Sequence, residues 1–223
     1  LDQALNNYLS PAVLDEADNV ENNNNGVLEE GKNYTTMEHK WDEAYGYFYG
    51  ASVDPTDPNA TIGADDDFLN EYVGKVNEDT DFTGIADDIF NAFKLGRAAI
   101  VAKDYTVRNA QAEIIREKAS EVIAIRGVFY LQQGKFKLEE SVVDYASAFH
   151  ALSEALGFVY SLQFTRQPGT NQPYFTRTEV LDYLTTIVDT PENGLWNVTP
   201  ATLQTISEEI AARFNFTVEQ AAN

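Results

Sequence analysis

The chain has 223 residues, 43% of them hydrophobic and 12% aromatic, with 36 acidic against 15 basic side chains and a formal net charge of −21. That length and apolar content support one large domain or two small ones, while a charge of this size repels nucleic acid and anionic lipid, both of which need a basic patch. Cysteine is absent, which removes disulfides, thiolate zinc sites and cysteine nucleophiles.

Apolar spacing predicts helices almost throughout. Residues 1–17 place Leu1, Leu5 and Tyr8 at helical intervals, with Ser10-Pro11 as a cap and first-turn pair. Residues 18–32 hold four consecutive asparagines, Asn22 to Asn25, and read as an exposed polar loop. Thr35-Thr36-Met37-Glu38 has the form of a capping box. It opens a helix with Met37, Trp41, Ala44 and Phe48 on its apolar face and Gly50 as its stop. Two Asp-Pro pairs, Asp54-Pro55 and Asp57-Pro58, mark residues 51–65 as a loop. Helices are then expected over 66–76, carrying Phe68, Leu69, Tyr72 and Val73, and over 83–103, carrying Ile85, Ile89, Phe93 and Leu95. The longest helical pattern runs from 107 to 133 or as far as Leu138, with an acidic row of Glu113, Glu117 and Glu121 that reads as a solvated face. Further helices are expected over 140–164 and 176–188, and from Thr199-Pro200 to about Phe214, with turns at 165–174 and 190–198. Runs of alternating Val, Ile and Thr are scarce, so the predicted class is all-α.

One motif occurs twice. Residues 39–50 read His-Lys-Trp-Asp-Glu-Ala-Tyr-Gly-Tyr-Phe-Tyr-Gly, and residues 150–161 read His-Ala-Leu-Ser-Glu-Ala-Leu-Gly-Phe-Val-Tyr-Ser. They share His, then Glu four later, Ala five later, Gly seven later and Tyr ten later, and the chain's only two histidines open the two copies. The offset from 39 to 150 is 111 residues, and that from Ile85 to Ile206, in a second matching pair, is 121; the drift implies an insertion of ten residues near 189–198. The pattern predicts an internal duplication: a first helical repeat over 1–103 and a second over 104–223, packed as one globular unit of two similar bundles about a pseudo-twofold axis.

On a helix, His39, Glu43, Gly46 and Gly50 share one stripe, as do His150, Glu154, Gly157 and Ser161. Imidazole and carboxylate one turn apart can reach one ion, and two facing copies would supply two of each, a ligand set suited to iron, zinc or manganese. The competing reading is that each pair hydrogen-bonds as a polar core contact. A glycine inside a helix costs about 1 kcal/mol against alanine, so its recurrence at Gly46 and Gly157 predicts a close approach by a backbone or a ligand. Nothing distinctive supports a nucleophile triad, and the chain reads as a non-enzyme, a metallohydrolase being the remaining enzymatic alternative. No apolar run is long enough to span a bilayer.

Met37 to Phe48 resembles the signature of domain-of-unknown-function family 4856, and Phe149 to Phe158 with Tyr160 to Phe164 resembles a second signature of that family. These bacterial proteins are commonly exported lipoproteins, similar in plan to imelysin-like proteins, which have two related helical bundles and are associated with iron uptake. The resemblance implies an imelysin-like fold and an exported protein of the periplasm or outer-membrane surface, lipid-anchored through a segment before Leu1. It also implies iron or another divalent metal as cofactor, for which the residue pattern offers His39, Glu43, His150 and Glu154, and an envelope transport protein as partner. The alternative is a metal-free, partner-binding lipoprotein module. The imelysin marker Gly-x-His-x-x-Glu is not matched: glutamate follows each histidine at the fourth position, and no glycine stands two before it.

Overall fold

A computed structural model describes all 223 residues. It is helical throughout and contains no strand. Chain contacts divide it into two compact units, one formed by residues 1–119 with 164–172, the other by residues 120–163 with 173–223. The division at 119/120 falls inside the longest helix rather than at 103/104, because that helix contributes one segment to each unit.

The first unit begins with a π-helical turn, Gln3–Tyr8, and a short helix α1, Pro11–Leu14, in place of the single helix expected over 1–17. Ser10 caps α1, its hydroxyl accepting from Ala12 N. Helix α2, Asn19–Asn25, occupies the segment expected to be a loop. Asparagine is a poor helix former alone, and tertiary hydrogen bonds override that preference. The Asn23 side chain is buried, donates to Ile100 O at 2.9 Å and accepts from Thr35 Oγ1 at 2.7 Å. Gly26, at φ 66°, closes α2 in the left-handed region that glycine enters freely.

Helix α3, Thr36–Tyr49, is the centre of this unit and carries the expected capping box: Thr35 Oγ1 accepts from Glu38 N, and Glu38 Oε2 accepts from Thr35 N at 2.7 Å. Helix α4, Leu69–Glu78, and helix α5, Ile85–Ala102, pack on it and on each other. Met37, Trp41, Ala44 and Phe48 are buried as expected, together with Val73, Ile89, Phe93 and Ile100. Phe68 and Leu95, expected on apolar faces, are exposed instead.

Helix α6, Tyr105–Leu138, runs its full expected length. Its Arg108 is buried yet satisfied, pairing with Asp15 at 2.7 Å and donating to Asn109. From the acidic row, Glu113 pairs with Arg116 and accepts from Gly169 N, so it holds the 164–172 segment rather than a ligand.

The second unit comprises the rest of α6 and helices α7, Tyr145–Ser161, α8, Arg177–Val188, α9, Pro200–Phe214, and a short unexpected α10, Val218–Ala221. Helix α7 starts five residues later than expected because Asp144 caps it, accepting from Ser147 N and Oγ. α8 packs on α7 and on α9. Leu152, Val159, Val180, Ile187, Leu203 and Ile210 form the core with Val128 and Leu131 of α6.

Candidate functional site

The two motif helices bury the same registers. Met37, Trp41, Ala44 and Phe48 of α3 correspond at the 111-residue offset to Ala148, Leu152, Ala155 and Val159 of α7, and all eight are buried. At about 100° per residue, the His/Glu/Gly stripe lies roughly 160° from that buried row in each helix. Both stripes therefore point away from the core their helix supports.

Local contacts follow from that placement. His39 is half-buried, stacked on the Tyr34 ring with centroids 4.9 Å apart, and its Nε2 lies 3.5 Å from Glu43 Oε1. Lys40 Nζ stands 3.6 Å from Glu43 Oε2, which is buried without a hydrogen bond. Of the four residues expected to bind metal, His39 and Glu43 thus meet across one helical turn. His150 is exposed, and Glu154, one turn on, is half-buried. No group of three or more His, Asp or Glu side chains is placed to hold a metal ion.

The expectation of a helix backbone packed on these glycines is corrected. A Cβ added at Gly46 or at Gly157 would meet nothing within 4 Å. The close approaches are elsewhere. A Cβ at Gly96 of α5 would lie 2.1 Å from Trp41 Cζ2, and one at Gly134 of α6 would lie 2.5 Å from Leu152 Cδ2. Trp41 and Leu152 hold the same register of the motif, so in each unit that buried side chain seats in a glycine notch on a neighbouring helix. The notch is invisible to periodicity because it requires knowing which helix packs on which.

A concavity of the first unit opens on the flank of α3 between its core row and its His/Glu stripe. It is a groove of about 520 Å³ between α3 and α5, lipped by Pro55 and Thr56. Tyr45 and Phe90 give it an aromatic wall backed by the buried rings of Trp41 and Phe93, and Ala98 and Val101 extend the apolar surface. Their polar atoms are already satisfied. Trp41 Nε1 donates to Phe93 O at 3.0 Å, and the Tyr45 hydroxyl donates to Pro55 O at 2.6 Å. Burial, reinforced by the nearby Asp54 carboxylate, pushes Tyr45 up to about 12, so it stays a neutral donor. Asp54 Oδ1 accepts from Thr56 N and Oγ1, which sets the lip and holds its own carboxyl below the usual range.

Charge gathers at one end. Arg97 donates from Nε to Asp42 Oδ1 at 2.9 Å and from Nη1 to Glu38 Oε1 at 2.8 Å. Desolvation raises the Asp42 carboxyl against the pull of Arg97. Lys94 Nζ rests 5.0 Å from the Phe90 ring centroid and has no carboxylate partner. Reading the sequence alone missed Phe90, Lys94 and Arg97. Their one available signal was the four-residue spacing of Glu38 and Asp42, which suits a single guanidinium from a neighbouring helix.

No curated protein and no solved structure matches the chain. A match running from residue 1 to residue 217 places the chain in the family described as Domain of unknown function (DUF4856).

Proposed function

We propose that this chain is a non-enzymatic binding module whose working surface is the α3–α5 groove. The observation that supports the reading is an aromatic-walled concavity between the motif helix and α5, left unfilled by the protein's own side chains. Pockets of this size and composition accommodate ligands of drug-like dimensions. The recurrence of the motif, of its buried registers and of its glycine notch supports descent of the two units from an internal duplication. With the family resemblance, the reading extends to an exported module at the bacterial envelope. Titration with the neutral apolar dye Nile red tests the groove. Saturable binding is expected, lost in Ala98→Trp, which fills the groove without touching the core; binding unchanged in that variant would refute the reading.

A second reading, metal binding in the service of iron acquisition, is favoured by one observation: Glu43 Oε2 is buried without a hydrogen bond beside His39. His39 and Glu43 supply ligands in this reading, and so do the equivalent His150 and Glu154 of the second motif helix. Metal analysis of untagged protein is decisive here. Stoichiometric iron or zinc that disappears in His39→Ala is expected, and metal-free protein with no uptake of added Fe²⁺ or Zn²⁺ would exclude it.

A further inference from the structure

Which class of ligand suits the groove follows from the balance of satisfied and unsatisfied groups around it; the inference rests on the groove being the working surface. The indole and phenol of the wall have spent their donors on Phe93 O and Pro55 O. A ligand lying there gains no hydrogen bond from them, and any polar group it buried against them would be left unpaired, at a cost of about 1–3 kcal/mol. The part of the ligand on the wall is therefore apolar.

The rim adds one charge. Arg97 is neutralised by two carboxylates, Glu38 and Asp42. Lys94, one turn after Phe90 on α5, keeps an ammonium that lies over the Phe90 ring and has no ion-pair partner. In a chain with 36 acids and 15 bases, a groove-lining cation left without an ion-pair partner, beside an Arg97 already paired with Asp42, favours an anion at that end. The same overall charge of −21 works against a polyanion, which would be repelled along its length. A single negative group carried on a large apolar body satisfies both conditions.

We propose that the groove binds a small amphipathic monoanion, an alkyl or aryl carboxylate, with its apolar body on Tyr45, Phe90, Ala98 and Val101 and its carboxylate on Lys94. The carboxylate forms a charge-assisted hydrogen bond with the ammonium. The tail displaces water from the ring faces, which is where most of the affinity arises.

The test uses the whole chain with Trp196→Phe, leaving Trp41 as the sole tryptophan reporter, and three probes of equal tail length: dodecanoate, dodecanol and dodecyltrimethylammonium, all below their aggregation concentrations. Saturable change in Trp41 emission with dodecanoate is expected, about tenfold tighter than with dodecanol, with the cationic probe weakest. Lys94→Gln should bring dodecanoate to the affinity of dodecanol and leave dodecanol unchanged. Ala98→Phe, which fills the groove without adding a tryptophan, should abolish all binding. Equal affinity for the acid and the alcohol, both blocked by Ala98→Phe, overturns the anion assignment while the groove reading stands. A preference for an acidic amphipathic peptide over dodecanoate in the same assay overturns the small-molecule assignment. Binding indifferent to Ala98→Phe, or no binding of any probe, overturns both readings.

Discussion

In α3 the buried motif residue that seats in a glycine notch is the indole of Trp41, whereas in α7 it is the isobutyl group of Leu152. The two helices share four buried registers, and they differ in what covers their flank. Beside α3 lies the open groove walled by Tyr45, Phe90 and Phe93. On α7, Tyr145 and Phe149 pack against Trp196, whose ring centroid lies 4.7 Å from each, with Trp196 and Tyr145 still exposed at their outer edges. Trp196 belongs to residues 189–198, the stretch where the two matching pairs of segments drift apart in offset. One motif thus supports two surfaces: an aromatic cluster where the chain supplies Trp196, and a concavity beside α3. The shared registers set how each helix sits on its core, and the unshared ones set the shape of its flank.

The notches give the largest way to break this comparison. Gly96→Ala forces a methyl group into the Trp41 ring, which cannot swing away without losing its bond to Phe93 O. Overpacking of this kind costs roughly 1–3 kcal/mol, and the rigid indole places Gly96→Ala at the upper end, near 3 kcal/mol. Gly134→Ala meets the end of a flexible leucine and should cost less, about 1–2 kcal/mol. Urea melts of the two variants check the order. Equal losses would mean that the shape of the seated side chain is irrelevant, and a neutral Gly96→Ala would remove the notch from the account.

The exposed glycines should respond with the opposite sign. Gly46 and Gly157 sit in helix interiors, outside the positive-φ region, with open space where a Cβ would go. Alanine at either place should raise stability by roughly 0.4–1 kcal/mol, by restricting the unfolded chain and improving helix propensity. A variant that gains stability but loses binding to a partner would show that the stripe is kept bare for an occupant. A loss of stability would show that something within the chain packs there after all.

How much of this was legible beforehand depended on whether the cause was local. The capping box of α3, the Ser10 cap, the Thr199-Pro200 start of α9 and the core row of α3 are set by residues within a turn of each other, and they stand where the spacing placed them. Helix α2 was missed because its stability comes from Asn23 bonding to Ile100 and Thr35, far off in sequence. The pairing of His39 with Glu43 was legible from a spacing of four. That the stripe faces outward also lay in the sequence, in the roughly 160° between it and Met37, Trp41, Ala44 and Phe48, but two ionisable residues with a glycine resemble an interior site until a core is known. The groove needed α5 laid against α3, which no spacing within either helix supplies.

The smallest effect sharpens a device that both units use. In the first, the capping-box glutamate Glu38 also receives Arg97 from α5; in the second, the capping-box glutamate Glu179 of α8 receives Arg213 from α9 at 2.5 Å. Arg213 donates besides to Tyr174 O at 2.6 Å and lies over Phe175, so it ties the start of α8 to α9. The hydrogen bond from Arg213, followed by those from Thr176 Oγ1 and N, lowers the Glu179 carboxyl from 4.5 to about 2. Because the folded value lies below the unfolded one, the stabilisation is present in full above about pH 4.5 and is lost as pH falls through about 2. The pair is partly exposed and screened, so the contribution should stay below about 1 kcal/mol. Glu179→Gln should therefore lower stability slightly at pH 7, and it should flatten the decline between pH 4.5 and 2 relative to the parent. Parallel melts across that range check it. Curves that stay parallel down to pH 2 would mean that the Arg213 bond contributes no more in the folded chain than solvent does in the unfolded one.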